Sequence, residues 1–162
     1  MNMKIAYPLA LCFLAACTTT PKTADSEGTR ASDTLTYSPA DRALLDSIQA
    51  LDGLQRTSSG LRYQVLTAAE GEKPAPEDTI LVGYRGLHAD GSLFWEDEGE
   101  AFCLGGTIQG FQEGVGMMSV GSKYMLYIPS ALGYGTKGIP DLIAPDEPLI
   151  YEVTLKGVKH PK

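Results

Sequence analysis

Val82-Gly83-Tyr84-Arg85-Gly86, Asp90-Gly91-Ser92-Leu93-Phe94, Thr107-Ile108-Gln109-Gly110-Phe111-Gln112-Glu113-Gly114 and Leu132-Gly133-Tyr134-Gly135 lie within one run from Ile80 to Leu155. Reading them together decides the fold. Aromatic and aliphatic residues recur beside glycines, and no His, Cys or acid pair is spaced for covalent chemistry. This is the inventory of a site that works by shape and apolar surface.

Working outward, the alternation of Leu61, Tyr63 and Val65 predicts a half-buried strand, and Thr79–Leu87 a second. Asp90-Gly91 is a tight hairpin signal between Leu87 and Leu93. Ala101–Leu104 reads as a short strand, Tyr124–Ile128 as a strand with two apolar faces, and Leu149–Val158 as the last strand. Phe111, Val115 and Met118 recur at i, i+4 and i+7, one face of a short helix over Gly110–Met118. Gly114 and Gly116 weaken that helix intrinsically and are expected to let it press close to a sheet. One short helix against a curved antiparallel sheet of five or six strands is an α+β fold.

Before this domain, Pro39–Leu51 predicts another helix. Ser38 is placed to cap it, Pro39 suits its first position, and Leu44, Ile48 and Leu51 share a face. Gly53 stops it. A segment this short is expected to dock on the domain rather than form a dimer interface, so the chain is expected to be a monomer. Thr18–Ser38 is polar and rich in Thr and Ser, and reads as a flexible tether reaching about 25 Å. The divisions expected are therefore 1–16, 17–38, 39–53 and a folded domain over 54–159.

Met1–Ala16 has one Lys, an apolar core and small residues at its end, the pattern of a secretory signal peptide. Leu14-Ala15-Ala16-Cys17 resembles a bacterial lipobox, which implies lipidation of Cys17 and anchoring to a membrane without spanning it. Thr18 rather than Asp after that Cys implies the periplasmic side of the outer membrane in a two-membraned bacterium. Loss of Lys4 with the signal leaves 12 basic against 20 acidic residues, about −8. Such an acidic body argues against charge-driven binding to nucleic acid. Cys12 leaves with the signal, so Cys103 stands without a disulfide partner and is expected to be a small buried hydrophobe. His88 and His160 lack ligand spacing, so neither a metal nor a cofactor is expected.

The order and spacing of these motifs, from Ser59-Gly60-Leu61-Arg62-Tyr63-Gln64-Val65-Leu66 through Val120-Gly121-Ser122-Lys123-Tyr124 to Tyr127-Ile128-Pro129, resemble the FKBP-type peptidyl-prolyl cis-trans isomerases over about Thr57–Val158. The similarity is to the bacterial branch that includes the macrophage infectivity potentiator proteins. It implies an FKBP-like sheet wrapping one helix, with the pocket between them. Proline-containing polypeptides are the implied partners, and no cofactor is implied. By position, the resemblance implies catalytic roles for Tyr84, for the Tyr134 hydroxyl and for the Ile108 backbone N–H. It implies substrate contacts from Phe94, Phe102, Thr107, Phe111 and Tyr151, with Phe111 where the family usually has Trp. Ile139, Leu142 and Ile143 would overhang the pocket.

After Phe94 the family's pattern continues with a pocket Asp, whereas this chain has Trp95 followed by Glu96-Asp97-Glu98. The connection to Phe102 is shorter than the family's and lacks its basic residue, so acid and base are expected to be missing together. The acidic run Glu96, Asp97, Glu98 and Glu100 reads as a solvated loop. Trp95 either widens the apolar wall and alters substrate preference, or fills the pocket and leaves a non-catalytic binding or chaperone module. A third reading is a lipid-anchored interaction domain presenting that acidic loop to a partner.

Overall fold

A computed structural model describes residues 36–161. The signal segment, Cys17 and most of the tether lie outside the described residues. Helix α1 (Pro39–Ile48) comes first, then strands β1 (Leu54–Arg56), β2 (Arg62–Thr67), β3 (Thr79–His88) and β4 (Leu93–Cys103). Helix α2 (Gln109–Met117) follows, then β5 (Lys123–Ile128) and β6 (Leu149–Lys159). The strands form one sheet in the order β1-β2-β5-β6-β3-β4, with every neighbouring pair antiparallel.

Alternation sorts the side chains into two faces. Val153 and Leu155 of β6, Ile80 and Val82 of β3, and Leu126 and Ile128 of β5 are fully buried beside Phe111, Val115 and Met118. These residues make the inner face, covered by α2. The close approach of α2 depends on glycine. A Cβ on Gly114 would meet Leu126 Cδ1 at 2.5 Å, and one on Gly110 would strike Ile128. Gly116, expected to share this role, has open space around it. It lies on the other side of the helix, two residues from Gly114.

The outer face is partly covered by α1. Leu44 and Ile48 pack with Tyr127 and against Met125 and Ile150, the outward members of β5 and β6. Ser38 caps α1: its hydroxyl accepts from the Asp41 N–H and its own N–H donates to the Asp41 carboxylate.

The sheet has six strands, as expected at the upper bound; β1 shows no period in the sequence because three residues are too few for one. One expectation needs correction. The acidic run is not a loop. Glu96–Glu100 is part of the continuous eleven-residue β4, which pairs with β3 from Thr79↔Cys103 to Leu87↔Leu93. The strand predicted over Ala101–Leu104 is its C-terminal end. The short Phe94–Phe102 connection leaves no room for a loop, and the backbone satisfies its hydrogen bonds along β3 instead.

Charges also suit β4 to its place. It is an edge strand, and acidic side chains there oppose pairing with another chain. Glu96 is turned to the outer face and pairs with Arg85 at 3.0 Å, while Lys156 donates to the Glu98 carbonyl. Lys123 and Glu152 continue this outer row at 2.7 Å.

Candidate functional site

Between the inner face and α2 lies a cavity of about 520 Å³, lined by Tyr84, Glu100, Phe102, Cys103, Gly106, Thr107, Ile108, Phe111, Tyr134 and Tyr151. Its wall is a set of mutually braced rings. Phe111 on α2 meets Tyr151 of β6 edge-on at 5.4 Å and Tyr84 of β3 at 6.0 Å. Tyr84 stands at 88° to Phe102. Each edge-to-face contact of this kind contributes about 0.5–1.5 kcal/mol beyond burial. Gly86 leaves the space that Phe94 and Tyr151 occupy, since a Cβ there would meet the Phe94 ring at 2.5 Å.

Polar groups enter this apolar wall at three points. The Tyr84 hydroxyl donates to Glu100 Oε2 at 2.7 Å. Burial and this carboxylate push the Tyr84 hydroxyl pKa well above the usual tyrosine value, and the nearby Trp95 indole opposes part of the shift. Burial, with the Tyr134 and Tyr84 hydroxyls close by, does the same to Tyr151. Ile108 is the third point. It is the N-cap residue of α2, with its carbonyl accepting from Phe111 and Gln112. Among the described residues nothing accepts from its N–H. A backbone donor at a helix N-terminus, on a residue that lines an apolar cavity, is suited to hold a carbonyl oxygen.

Of the residues singled out in the sequence, Tyr84, Phe102, Thr107, Ile108, Phe111, Tyr134 and Tyr151 come together in the cavity lining. Phe94 and Trp95 do not line it. Phe94 packs behind Tyr151, with ring centroids 5.9 Å apart, and against His88 at 5.0 Å. Trp95 is 51% exposed, so the cavity is not filled by it. A register shift leaves Phe94 without a partner between Trp95, opposite Gly86, and Leu93, opposite Leu87, which breaks the simple alternation at this end of β4. Ile139, Leu142 and Ile143 line a neighbouring groove with His88 and Glu147. Ile139 and Ile143 close a small loop by exchanging backbone hydrogen bonds, each at 2.8 Å, which buries Ile143 and leaves Leu142 on the outside.

Two readings of single residues are corrected by the geometry. An acid is present in the pocket after all. Glu100, assigned to a solvated loop, faces inward opposite Val82, whereas no Lys, Arg or His lines the cavity. The signal was available, since Glu100 precedes Phe102 by two residues and so shares its face of a strand. Cys103 is exposed rather than buried. It follows the inward Phe102 by one residue and so turns outward, at the cavity's edge.

Comparison with known proteins agrees with this geometry. The family model described as FKBP-type peptidyl-prolyl cis-trans isomerase matches residues 70–156. The "Peptidyl-prolyl cis-trans isomerase Mip" of Coxiella burnetii is 34% identical, the match covering 73% of this chain and 53% of that protein. The "FKBP-type peptidyl-prolyl cis-trans isomerase FkpA" of Escherichia coli is 40% identical, with coverage of 66% and 41%. The "Outer membrane protein MIP" of Legionella longbeachae is 32% identical, with coverage of 72% and 52%. The chain thus spans about half the length of these relatives, or less. Among solved structures, a peptidyl-prolyl cis-trans isomerase from Pseudomonas syringae superposes with a TM-score of 0.71 at 32% identity, covering 75% of this chain and 92% of that one. FkpA from Escherichia coli superposes with the same TM-score at 35% identity, covering 74% and 58%.

Proposed function

The chain belongs to the FKBP-type peptidyl-prolyl cis-trans isomerase family, and from that premise we propose that it accelerates X–Pro isomerisation in polypeptides of a bacterial cell envelope. The observation that carries this reading is the aromatic cavity with Tyr84, Tyr134 and Ile108 in its lining. Rotation about an X–Pro bond destroys amide resonance, at a barrier of about 18–20 kcal/mol. Uncatalysed exchange takes tens of seconds or longer. A catalyst must favour the twisted amide over both planar forms.

This cavity has the parts for that task. Phe102, Phe111 and Tyr151 receive the proline ring and exclude water from the amide, which removes stabilisation of the polar planar forms. The Ile108 N–H and the Tyr134 hydroxyl hold carbonyl oxygens as the bond twists. Glu100 fixes the direction of the Tyr84 hydroxyl, leaving the Tyr84 ring as a rigid side wall. Held above the usual tyrosine pKa, the Tyr84 and Tyr151 hydroxyls stay protonated into the alkaline range as well as at neutral pH. Trp95, standing outside the cavity lining, acts at its rim, where it favours apolar residues beside the proline. Attachment through lipid on Cys17, with residues 18–38 as a spacer, places a monomeric domain at the periplasmic side of an outer membrane.

The test is catalysis of cis-to-trans exchange in an apolar-X–Pro peptide, beside the Trp95→Asp variant. Wild-type protein is expected to accelerate exchange at substoichiometric concentration. Activity appearing only in the variant would overturn the enzyme reading in favour of a binding module. Alkylation of Cys103 supplies a second readout, because an occupied cavity is expected to slow it.

A further inference from the structure

Helix α1 is joined to the pocket through one buried carboxylate. Asp41 is 1% exposed. Its Oδ1 accepts from the Ser130 N–H at 2.7 Å. Its Oδ2 accepts from the Ser130 hydroxyl and from the Ser38 N–H, each at 2.8 Å. Capping α1 requires only the last of these bonds. The other two reach 89 residues along the chain to the start of the 3-10 turn Ser130–Leu132, whose first N–H would otherwise lack a partner. Tyr134 follows two residues after that turn.

The same first turn of α1 also holds the far side of the Tyr134 segment. The Ser38 hydroxyl donates to the Asp146 carbonyl at 2.9 Å, and the Asp146 N–H donates to the Gly135 carbonyl at 2.8 Å. The segment from Ser130 to Gly135 is therefore held at both ends, directly by Asp41 at Ser130 and through Asp146 by Ser38 at Gly135.

We infer that Asp41 is a positioning residue for Tyr134, setting the hydroxyl through the Ser130 turn. This rests on the isomerase reading of the pocket. A carboxylate removed from water needs its acceptor sites filled, and here the donors are the groups that orient the Tyr134 segment. Misplacing a reacting group by about 1 Å costs up to roughly a hundredfold in rate. Loss of the pin should therefore lower kcat while leaving KM, set by the untouched aromatic walls, near its original value.

The experiment compares Asp41→Ala, Asp41→Asn, Ser130→Ala and Leu44→Ala in the full chain. Two readouts are taken at a temperature where all four are folded: turnover of an X–Pro peptide and amide hydrogen exchange over residues 130–137. Asp41→Ala should lower kcat about tenfold and speed that exchange. Ser130→Ala should act the same way more weakly. Asp41→Asn should recover most of the turnover, because its carbonyl still accepts from the Ser130 N–H. Leu44→Ala removes a buried side chain from the same helix without touching the pin, so it should lower thermal stability and spare kcat. Wild-type kcat in Asp41→Ala, unchanged exchange, or an equal loss of kcat in Leu44→Ala would overturn the inference. Absence of turnover in the wild type would overturn the isomerase reading instead, and the exchange comparison would then decide the pin alone.

Discussion

The two faces of the sheet are built from the same six strands and do different work. The inner face carries Ile80, Val82, Leu126, Ile128, Val153 and Leu155, all fully buried, and holds the aromatic pocket against α2. The outer face carries α1 at one end, and the exposed pair Arg85–Glu96 and the half-buried pair Lys123–Glu152 elsewhere. The larger buried cluster lies on the first face; the second holds a smaller one under α1 and a row of charges along the sheet. The contrast teaches that on β4 the direction of a side chain outweighs its chemistry. Glu96 and Glu100 are the same residue type four positions apart, yet one pairs with an arginine in solvent and the other meets a tyrosine in the pocket.

The largest expected effect is on the inner face. Leu126→Ala should destabilise by about 2–5 kcal/mol, read from the midpoint of denaturant unfolding. Within the pocket, Glu100→Ala should free the Tyr84 hydroxyl and lower kcat/KM about tenfold, whereas Glu100→Gln keeps an acceptor and most of the activity. Equal activity in both variants would show that Glu100 belongs functionally with the outer acids. On the outer face, a double-mutant cycle on Arg85 and Glu96 should give a coupling of about 0.2–1 kcal/mol, falling with salt. A larger coupling would break the contrast between the faces.

The smallest expected effect lies beyond the end of β6, where His160 sits between Asp78 at 2.8 Å and Glu72 at 2.7 Å. These carboxylates, Asp78 first, raise the His160 pKa above its ordinary 6.5. Asp78 is held below 3.8, chiefly by the Ala75 N–H and also by His160. The histidine's contribution is complete below pH 6.5 and is lost as pH rises through its raised folded value. That of Asp78 is complete above pH 3.8 and is lost as pH falls through its depressed one. Stability from this contact should therefore be greatest between those limits, and thermal melts of His160→Gln should show a flatter pH dependence above pH 6.

Much of this was legible in the sequence because β6 alternates cleanly, β2 and β3 keep apolar residues at alternate positions, β5 is apolar on both faces and α2 keeps its 3.6 period. Seven of the residues that the family resemblance implied meet in the cavity, three of them, Thr107, Ile108 and Tyr134, on connections that no period marks. What remained hidden has physical causes. Strand β4 carries two register shifts against β3, so its period breaks and its acids resemble a loop. The Asp41 pin joins residues 89 apart and leaves no local pattern. The loop at Ile139–Ile143 turns on Gly138, whose φ of 57° and close approach to the Ile143 carbonyl admit no side chain. That fold-back carries Ile139 and Leu142 into a neighbouring groove.

The central claim is that this pocket twists prolyl amides with hydroxyl and backbone donors and no acid–base step. Its most direct test is exchange kinetics of an X–Pro peptide with wild-type and Tyr134→Phe protein at matched concentration. The account predicts clear catalysis by the wild type and a loss of about ten- to a hundredfold in the variant, with little change in thermal stability. Equal rates for the two proteins, or a wild type no faster than the uncatalysed peptide, would contradict it.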